Sequence, residues 1–140
     1  FMNVITDSVE ILTRGHTDII DITPQVEQVL MEAELERGNL TVFVSGSTAG
    51  ITSIEYEPGL LKDLPEAFEK MAPTGVRYHH DEAWGDGNGY AHVRAAMLGS
   101  SFTVPFDNGK LLLGTWQQIV VIDFDNRPRR RNIVLQMIGE

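Results

Sequence analysis

The Asn108-Gly109 pair restricts the fold of this chain more than any other short feature of its sequence. The pair lies between two apolar runs, at residues 102–106 and 111–113. A two-residue hairpin turn needs a positive φ at both central positions, and Asn-Gly tolerates that conformation well. We therefore predict an antiparallel hairpin here, and further strands at residues 119–124 and 133–138 extend it into a β-meander.

The first half of the chain alternates between strand and helix patterns. Strand patterns, in which apolar residues are contiguous or alternate with polar ones, lie at residues 8–13, 40–44 and 51–57. A helix pattern follows the first of these strands and another follows the third. Helices in the first half and a meander in the second predict an α+β fold, with two main helices and an antiparallel sheet in a single domain over residues 1–140.

Residue types at the helix ends predict where the two helices begin and end. Thr23 is expected to be the N-cap of the first helix, with Pro24 at its first position and Gly38 at its C-terminal end. The second helix is expected to begin at or just before Pro65, because proline is best tolerated in the first turn of a helix. Asp63 is then available as its cap.

Composition and charge exclude several function classes. The formal net charge of -9 argues against a nucleic-acid surface or an anionic membrane as partner. The absence of cysteine excludes disulfides, thiolate catalysis and cysteine-based zinc sites, and fits a reducing compartment. No apolar run approaches the roughly 20 residues that are needed to span a bilayer. We expect a cytoplasmic protein that binds neither nucleic acid nor membrane.

Residues 79–92 concentrate the chemistry of the chain, since they hold three of its four histidines together with several carboxylates. Alternating glycines favour an extended polar loop here, rather than a core element, before a short helix over residues 91–98. We predict that Asp86 and Asn88 fold back between His80 and His92. These four side chains then line one pocket with groups that accept, donate and transfer protons near neutral pH.

Two other features are candidates for binding an anionic substrate. The turn that follows the strand at residues 40–44 carries backbone N–H groups and the hydroxyls of Ser45, Ser47 and Thr48, which can cradle an oxyanion. The alternative is a plain glycine-rich turn. Arg94, beside the predicted pocket, is either an unpaired charge that binds phosphate or one half of a surface salt bridge.

Two features near the end of the chain also allow more than one interpretation. Trp116 and Gln117 are either a core side chain with a surface amide, or an aromatic wall and a hydrogen-bond donor that face a ligand. The arginines at positions 127, 129, 130 and 131 are expected to form a solvated basic turn before the last strand.

Four segments of the chain, residues 46–59, 81–92, 98–101 and 114–117, together resemble the YjbQ family. The last of them, Gly-Thr-Trp-Gln, is quite specific. Some members of that family show thiamine-phosphate synthase activity. The resemblance covers nearly the whole chain, and it implies an α+β fold whose antiparallel sheet curls toward a half-barrel, and a homotrimer.

The same resemblance implies a set of site residues. His80, Asp86, Asn88 and His92 match the family's polar pocket, with Trp116 and Gln117 opposite. The chain has a doubled histidine at positions 79 and 80, and we assign the family position to His80.

Two function classes follow from these residues and the resemblance. In the first, the chain is a thiamine-phosphate synthase-like transferase that joins a thiazole phosphate to a pyrimidine diphosphate and releases pyrophosphate. Such chemistry needs a phosphate grip and usually Mg²⁺, to which Arg94, the turn at residues 45–48 and Asp86 contribute. In the second, His80, His92 and Asp86 hold a divalent ion such as Zn²⁺, in a hydrolase or in a protein that binds metal or a small anionic metabolite.

Overall fold

A computed structural model describes residues 1–140 as eight β-strands and four α-helices. In chain order these are β1 (Asn3–Thr13), β2 (Asp18–Asp21), α1 (Thr23–Ala33), β3 (Gly38–Val44), β4 (Ala49–Ile54), α2 (Leu60–Met71), α3 (His79–Trp84), α4 (Gly89–Leu98), β5 (Ser101–Asp107), β6 (Lys110–Leu111), β7 (Gln118–Asp123) and β8 (Arg129–Gly139). None of the four helices is long and apolar enough to cross a lipid bilayer.

The strands form two antiparallel sheets. One has five strands in the order β1-β8-β3-β5-β6, and the other has three in the order β2-β7-β4. Every pair is antiparallel, as predicted. The predicted β-meander is wrong, because β7 pairs with β2 and β4 in the other sheet and β8 lies between β1 and β3. Apolar patterns locate strands in a sequence but do not specify their distant partners. The strands curl into a half-barrel, so the predicted α+β class and the curvature implied by the family resemblance are both confirmed. Strand β2 was not predicted, because its apolar residues number only two and its ends are charged.

Two apolar cores lie on either side of the three-stranded sheet. Residues of β7 alternate between them: Ile119 and Val121 pack in the larger core with α1 and the five-stranded sheet, while Val120 and Ile122 pack in the smaller one. Both faces of β7 are therefore covered, which explains why its sequence is a continuous apolar run rather than an alternating one.

The smaller core holds α2 and α4 against the three-stranded sheet. Phe68 of α2 packs edge-to-face on Phe124, with ring centroids 4.8 Å apart. Ala91 and Ala95 of α4 are buried in the same cluster. The start of α4 is consequently held by apolar contacts, and this matters because the central histidine segment leads directly into it.

The predicted hairpin at Asn108-Gly109 is confirmed. Asn108 has φ 53° and Gly109 has φ 70°, so both central residues adopt the left-handed conformation that the turn requires. The flanking pairs Phe106–Leu111 and Asp107–Lys110 are in antiparallel register.

The predicted helix caps are wrong, although the helices are present. Thr23 is the first residue of α1, and its hydroxyl accepts a hydrogen bond at 2.8 Å from the backbone N–H of Ile119 in β7 instead of capping its own helix. The helix ends at Ala33, where Glu34 takes the left-handed conformation with φ 56°, and Gly38 instead opens β3.

Helix α2 also starts earlier than predicted. It begins at Leu60, five residues before Pro65, and Asp63 does not cap it. The carboxylate of Glu57 accepts hydrogen bonds from the backbone N–H groups of Gly59 and Leu60, and so supplies the cap. Since the helix begins at Leu60, Pro65 lies inside it rather than at its start.

A buried ionic network joins the two sheets. Arg131 of β8 donates to the carboxylate of Asp123, at the end of β7, through Nε at 2.7 Å and Nη2 at 2.9 Å. Thr13 of β1 donates to the same carboxylate at 2.6 Å. Arg129 donates to Asp125 at 2.7 Å. The prediction of a fully solvated basic turn is therefore wrong, since Arg131 is buried.

The two remaining arginines of that stretch, Arg127 and Arg130, are exposed as predicted. Strand β8 explains the difference, because successive side chains of a strand point to opposite faces. Arg129 and Arg131 share the inner face, and Arg130 faces solvent between them.

Loss of one charge from this network is expected to destabilise the protein strongly. Asp123→Asn leaves Arg131 buried without its carboxylate, so the free energy of unfolding should fall by about 3 kcal/mol or more. The matched control is Glu10→Gln, because Glu10 pairs with Arg130 at 3.4 Å on the exposed face of the same sheet. Its loss should be below about 1 kcal/mol. Urea unfolding of both variants is the measurement, and equal losses would contradict the structural role of the network.

Candidate functional site

The central histidine segment is not the open loop that its glycines predicted. His79–Trp84 forms α3, Gly89–Leu98 forms α4, and only residues 85–88 connect them. Asp81 of α3 accepts a hydrogen bond at 2.8 Å from the backbone N–H of Gly89, which ties the two helices together. Gly89 packs so closely on Tyr78 that a Cβ would lie 2.5 Å from the Tyr78 Cβ. Packing of Gly89 against Tyr78 therefore helps to order the segment, and the sequence analysis did not predict this contact.

A cleft of about 350 Å³ opens beside this segment. The residues that line it are Gly46, Ser47, Thr48, His80, Trp84, Asp86, Asn88, His92, Arg129 and Arg131. The four predicted pocket residues of the central segment are thus brought together, and two residues of the predicted oxyanion turn join them. Of the doubled histidine, His80 lines the cleft, whereas the side chain of His79 is fully exposed.

His80 and His92 are in direct contact. Their ring centroids are 4.1 Å apart and the ring planes are tilted by 35°. Burial lowers the pKa of His92, and the neighbouring His80 lowers it further. Near neutral pH His92 is therefore an uncharged imidazole, which can accept a proton at one nitrogen and donate from the other.

His80 also has an unused polar atom. Its Nδ1 is buried and has no hydrogen-bond partner in the protein. The closest carboxylate oxygen, Asp81 Oδ1, is 3.7 Å away and is engaged by the N–H of Gly89. A distance of 3.7 Å is too long for a hydrogen bond. His80 Nδ1 is therefore a buried polar atom without a partner in the protein.

Asp125 accepts hydrogen bonds from three residues that line the cleft, and the sequence did not predict this role. Its carboxylate accepts hydrogen bonds from Asn88 Nδ2 at 3.1 Å, Thr48 Oγ1 at 3.0 Å and Arg129 Nε at 2.7 Å. Burial raises the pKa of Asp125, but these hydrogen bonds and that of the Asn126 N–H outweigh burial and lower it to about 2. The carboxylate is consequently ionised throughout the physiological range and accepts from three cleft residues at once.

Arg131 and the turn at residues 45–48 supply donors for an anion. Arg131 uses Nε and Nη2 on Asp123 and Thr48, whereas Nη1 has no acceptor in the protein and lies 2.7 Å from where a Cβ of Gly46 would be. The backbone N–H groups of Gly46, Ser47 and Thr48 donate to no protein atom. Unpaired N–H groups in one turn, together with a neighbouring guanidinium, are donors of the kind that bind an oxyanion.

The hydroxyls of the turn do not contribute equally. Thr48 donates its proton to Asp125 and accepts from Arg131 at 2.6 Å, so its hydroxyl cannot also donate to a ligand. Ser47 is exposed in the cleft and has no partner in the protein. Ser45 lies outside the cleft lining, and its backbone N–H donates to Asn132.

Of the two alternatives for Arg94, the unpaired charge is wrong, and its ion pair with Glu69 is buried on the arginine side rather than at the surface. Its side chain is buried, and all three nitrogens are used, on the carbonyl of Ala72, the hydroxyl of Thr17 and the carboxylate of Glu69. The guanidinium also lies over the Tyr90 ring, 4.9 Å from its centroid. Arg94 therefore fixes α4 in place and does not line the cleft.

Trp116 and Gln117 do not face the histidine cleft in this chain. Trp116 is 72% exposed, and Gln117 bonds to the N–H of Gly114 and to the Ser53 hydroxyl. Gln117 borders a larger cavity of about 750 Å³ between α1 and residues 108–118, which is lined by no histidine or arginine. The aromatic side chain at the histidine cleft is Trp84.

The expected metal ligands do not form a coordinating set. No group of three or more His, Asp or Glu side chains is placed to hold a metal ion. The rings of His80 and His92 pack against each other, and the third expected ligand, Asp86, is exposed. The side chains of this cleft alone therefore do not fit the tetrahedral ligand geometry of Zn²⁺, or an oxygen cage for Mg²⁺.

Comparison with known proteins places the chain among relatives of matching length. The family model described as UPF0047 protein YjbQ-like matches residues 7–140. A UPF0047 protein of Archaeoglobus fulgidus is 40% identical over 126 residues, which is 90% of this chain and 95% of that one. The UPF0047 protein YugU of Bacillus subtilis is 35% identical over 133 residues, covering 94% and 98% of the two chains.

Solved structures have the same fold. A YbjQ-like protein of unknown function from Sulfolobus solfataricus P2 superposes with a TM-score of 0.95 at 32% identity, covering 100% of both chains. A hypothetical protein from Aeropyrum pernix K1 superposes with a TM-score of 0.90 at 32% identity, covering 96% of this chain and 98% of that one.

The histidine contact has a measurable consequence for pH dependence. His92 is expected to titrate below the reference value of about 6.5 in the native protein. As pH falls below that value, the unfolded chain binds a proton at His92 that the folded chain does not, so stability should fall in that range and level off below the native pKa.

Nuclear magnetic resonance titration of the imidazole signals measures this pKa directly. In His80→Ala the pKa of His92 should rise, because the second imidazole and part of the burial are removed. His79→Ala is the matched control and should leave it unchanged. A His92 signal that titrates at or above about 6.5 in the wild-type protein would refute the burial argument.

Proposed function

This chain belongs to the UPF0047 YjbQ-like family, and we propose that it is an enzyme that binds a small phosphorylated metabolite in the histidine cleft and transfers protons with His80 and His92. The observation that carries the proposal is the contact between the two imidazoles, 4.1 Å apart, in a cleft that also holds unpaired N–H donors. Proton-transfer groups beside an oxyanion site are the components that phosphate-ester chemistry needs.

The charge balance of the cleft limits the kind of anion that it suits. Arg129 and Arg131 are offset by Asp125 and Asp123, so the four buried or half-buried charges sum to zero. Attraction then depends on directed hydrogen bonds from Arg131 Nη1 and the turn N–H groups rather than on excess positive charge. A single phosphate group fits this description better than an unassisted diphosphate, which brings more charge.

The two imidazoles support general acid–base roles. A neutral His92 accepts a proton from a ligand O–H or N–H. The imidazolium that results is disfavoured by burial and by His80, so it readily passes the proton on. His80 offers Nδ1, which has no partner in the protein, for the opposite transfer. No step is assigned to a metal ion, because the cleft does not contain a coordinating set.

The finer proposal is thiamine-phosphate synthase-like activity. In that reaction a C–N bond forms between the thiazole nitrogen and the pyrimidine methylene carbon while the bond from that carbon to the diphosphate oxygen breaks. What supports it is the family resemblance together with a cleft suited to one phosphate, that of the thiazole. The zero charge sum weighs against tight binding of the diphosphate, so we expect this activity to be slow and to require added Mg²⁺.

A double-mutant cycle tests whether His80 and His92 serve one ligand. His80→Gln and His92→Gln should each weaken binding of a thiazole phosphate at least tenfold, about 1.4 kcal/mol. The double variant should lose less than the sum of the two, because both groups act on the same bound species. Calorimetric titration is the measurement, and His79→Gln is the matched control with no expected loss.

Additive losses would mean that the two imidazoles do not share a ligand, and the proposal would fail. The same titrations with Zn²⁺ address the metal-binding alternative. Tight Zn²⁺ binding that both single variants abolish would favour that alternative, and would require the rings to separate from their present contact.

We also propose that the chain assembles as a homotrimer, with the number of copies taken from the family resemblance. What supports self-association is the exposed outer face of the five-stranded sheet, where Val4, Phe43 and Ile138 are uncovered. Large exposed apolar side chains grouped on one surface are typical of protein interfaces.

Light scattering at micromolar concentration should give three times the monomer mass. Phe43→Glu combined with Ile138→Glu should lower the mass if this sheet face is the interface, because charges there would be buried without partners. Glu10→Gln serves as a control on the same sheet. A clean monomer for the wild-type chain would rule out the trimer.

A further inference from the structure

The carboxamide of Asn88 is the most unusual polar group of the cleft. Asn88 is only 5% exposed, and it lines the cleft at the start of α4. Its Nδ2 donates to Asp125 at 3.1 Å, but its Oδ1 is buried and has no hydrogen-bond partner in the protein. A buried acceptor without a partner is costly, so it points to a bound group that donates to it.

The orientation of this carboxamide is determined by its neighbour. The Asp125 carboxylate is ionised and has no proton to donate, so only the NH₂ end of Asn88 can face it. Rotating the amide by 180° would bring two oxygens to about the same separation with no hydrogen between them. The Asn88 oxygen is consequently an obligatory acceptor, and it cannot adapt to a ligand that offers only oxygens without protons.

Asn88 is close to the rest of the proposed ligand site. The backbone N–H of His92 bonds to the Asn88 carbonyl, which sets the two residues one helical turn apart on α4. Arg131 also lines the cleft, and its Nη1 is a donor without an acceptor in the protein. The cleft therefore offers an anion both a donor and an acceptor, and it has no net positive charge from its arginines because each is paired.

We propose that Asn88 Oδ1 accepts a hydrogen bond from the ligand, so that the cleft selects oxyanions that carry an O–H or N–H donor and rejects oxyanions with acceptors only. This rests on the proposed function, since it defines which ligands the same cleft takes. The ligand class is hydrogen phosphate, or a phosphate monoester whose organic part carries a hydroxyl or amino group.

Inorganic phosphate and sulfate distinguish these classes with nearly equal shapes. Near neutral pH phosphate retains at least one proton, whereas sulfate has none. Phosphate can therefore accept from Arg131 and donate to Asn88, while sulfate would place an oxygen lone pair against the Asn88 oxygen. A site built around a hydrogen bond discriminates strongly against an analogue that cannot make it.

The experiment is calorimetric titration of the full chain with inorganic phosphate and with sulfate, at pH 7.5 and constant ionic strength. We expect phosphate to bind at least tenfold more tightly than sulfate. In Asn88→Ala this ratio should fall to near one. The matched control is Asn126→Ala, which removes an amide bonded to the Asp86 carbonyl at the rim and should keep the ratio.

Asn88→Ala also removes a donor to Asp125, so its folding is checked by thermal melting. If it does not fold, 2-hydroxyethyl phosphate and ethyl phosphate decide the question with the wild-type chain, and the hydroxylated ester should bind at least several-fold more tightly.

Equal binding of phosphate and sulfate to the wild-type chain, or an unchanged ratio in folded Asn88→Ala, would overturn the inference and leave the proposed anion site standing. Failure of every anion to bind at millimolar concentration would overturn the proposed function and this inference with it.

Discussion

The buried carboxylates of Asp123 and Asp125 impose the strongest constraint on this structure. Both lie at the end of β7 with no solvent exposure, and a buried charge must be satisfied by donors from elsewhere in the chain. Thr13 and Arg131 satisfy the first, and Thr48, Asn88 and Arg129 satisfy the second. These partners come from β1, β8, the turn after β3 and the start of α4. The two sheets and the site helix therefore meet at one point.

The same network orients the groups that line the cleft. Thr48, Asn88 and Arg131 each direct at least one polar atom inward to a carboxylate. In Asn88 this leaves Oδ1 as an acceptor without a partner, and in Arg131 it leaves Nη1 as a donor without one. Because the inward bonds are charge-assisted, the remaining atoms are held in place before any ligand arrives. The cost is that the arginine charges are already balanced, so recognition depends on hydrogen-bond direction.

Helix α4 is held in place by contacts far from the cleft. Arg94 spans from α4 to the carbonyl of Ala72 and to the hydroxyl of Thr17. Thr17 has φ 61°, a left-handed conformation that is unfavourable for a β-branched residue, and His16 before it has φ 55°. Strain of this kind persists only where surrounding contacts enforce it. Here it presents the Thr17 hydroxyl to Arg94 and so helps to hold the helix that carries Asn88 and His92.

The sequence by itself determined the local features of this protein. Asn108-Gly109 specified a hairpin because its turn needs two positive φ angles, and apolar periodicity specified the α+β class. The spacing of His80, Asp86, Asn88 and His92 was sufficient to group them, since residues within a short segment of the chain remain near one another.

Only tertiary structure decided which charges are buried. Arg131 reaches Asp123 over a short separation, but Thr48 and Asp125 are 77 positions apart and Thr13 and Asp123 are 110 apart. Burial of a charge depends on partners that distant, whereas residue type alone predicts an exposed arginine. For the same reason the sequence predicted Arg94 either as a free phosphate partner or as half of a surface salt bridge, whereas the fold buries it against Thr17, Glu69 and Ala72.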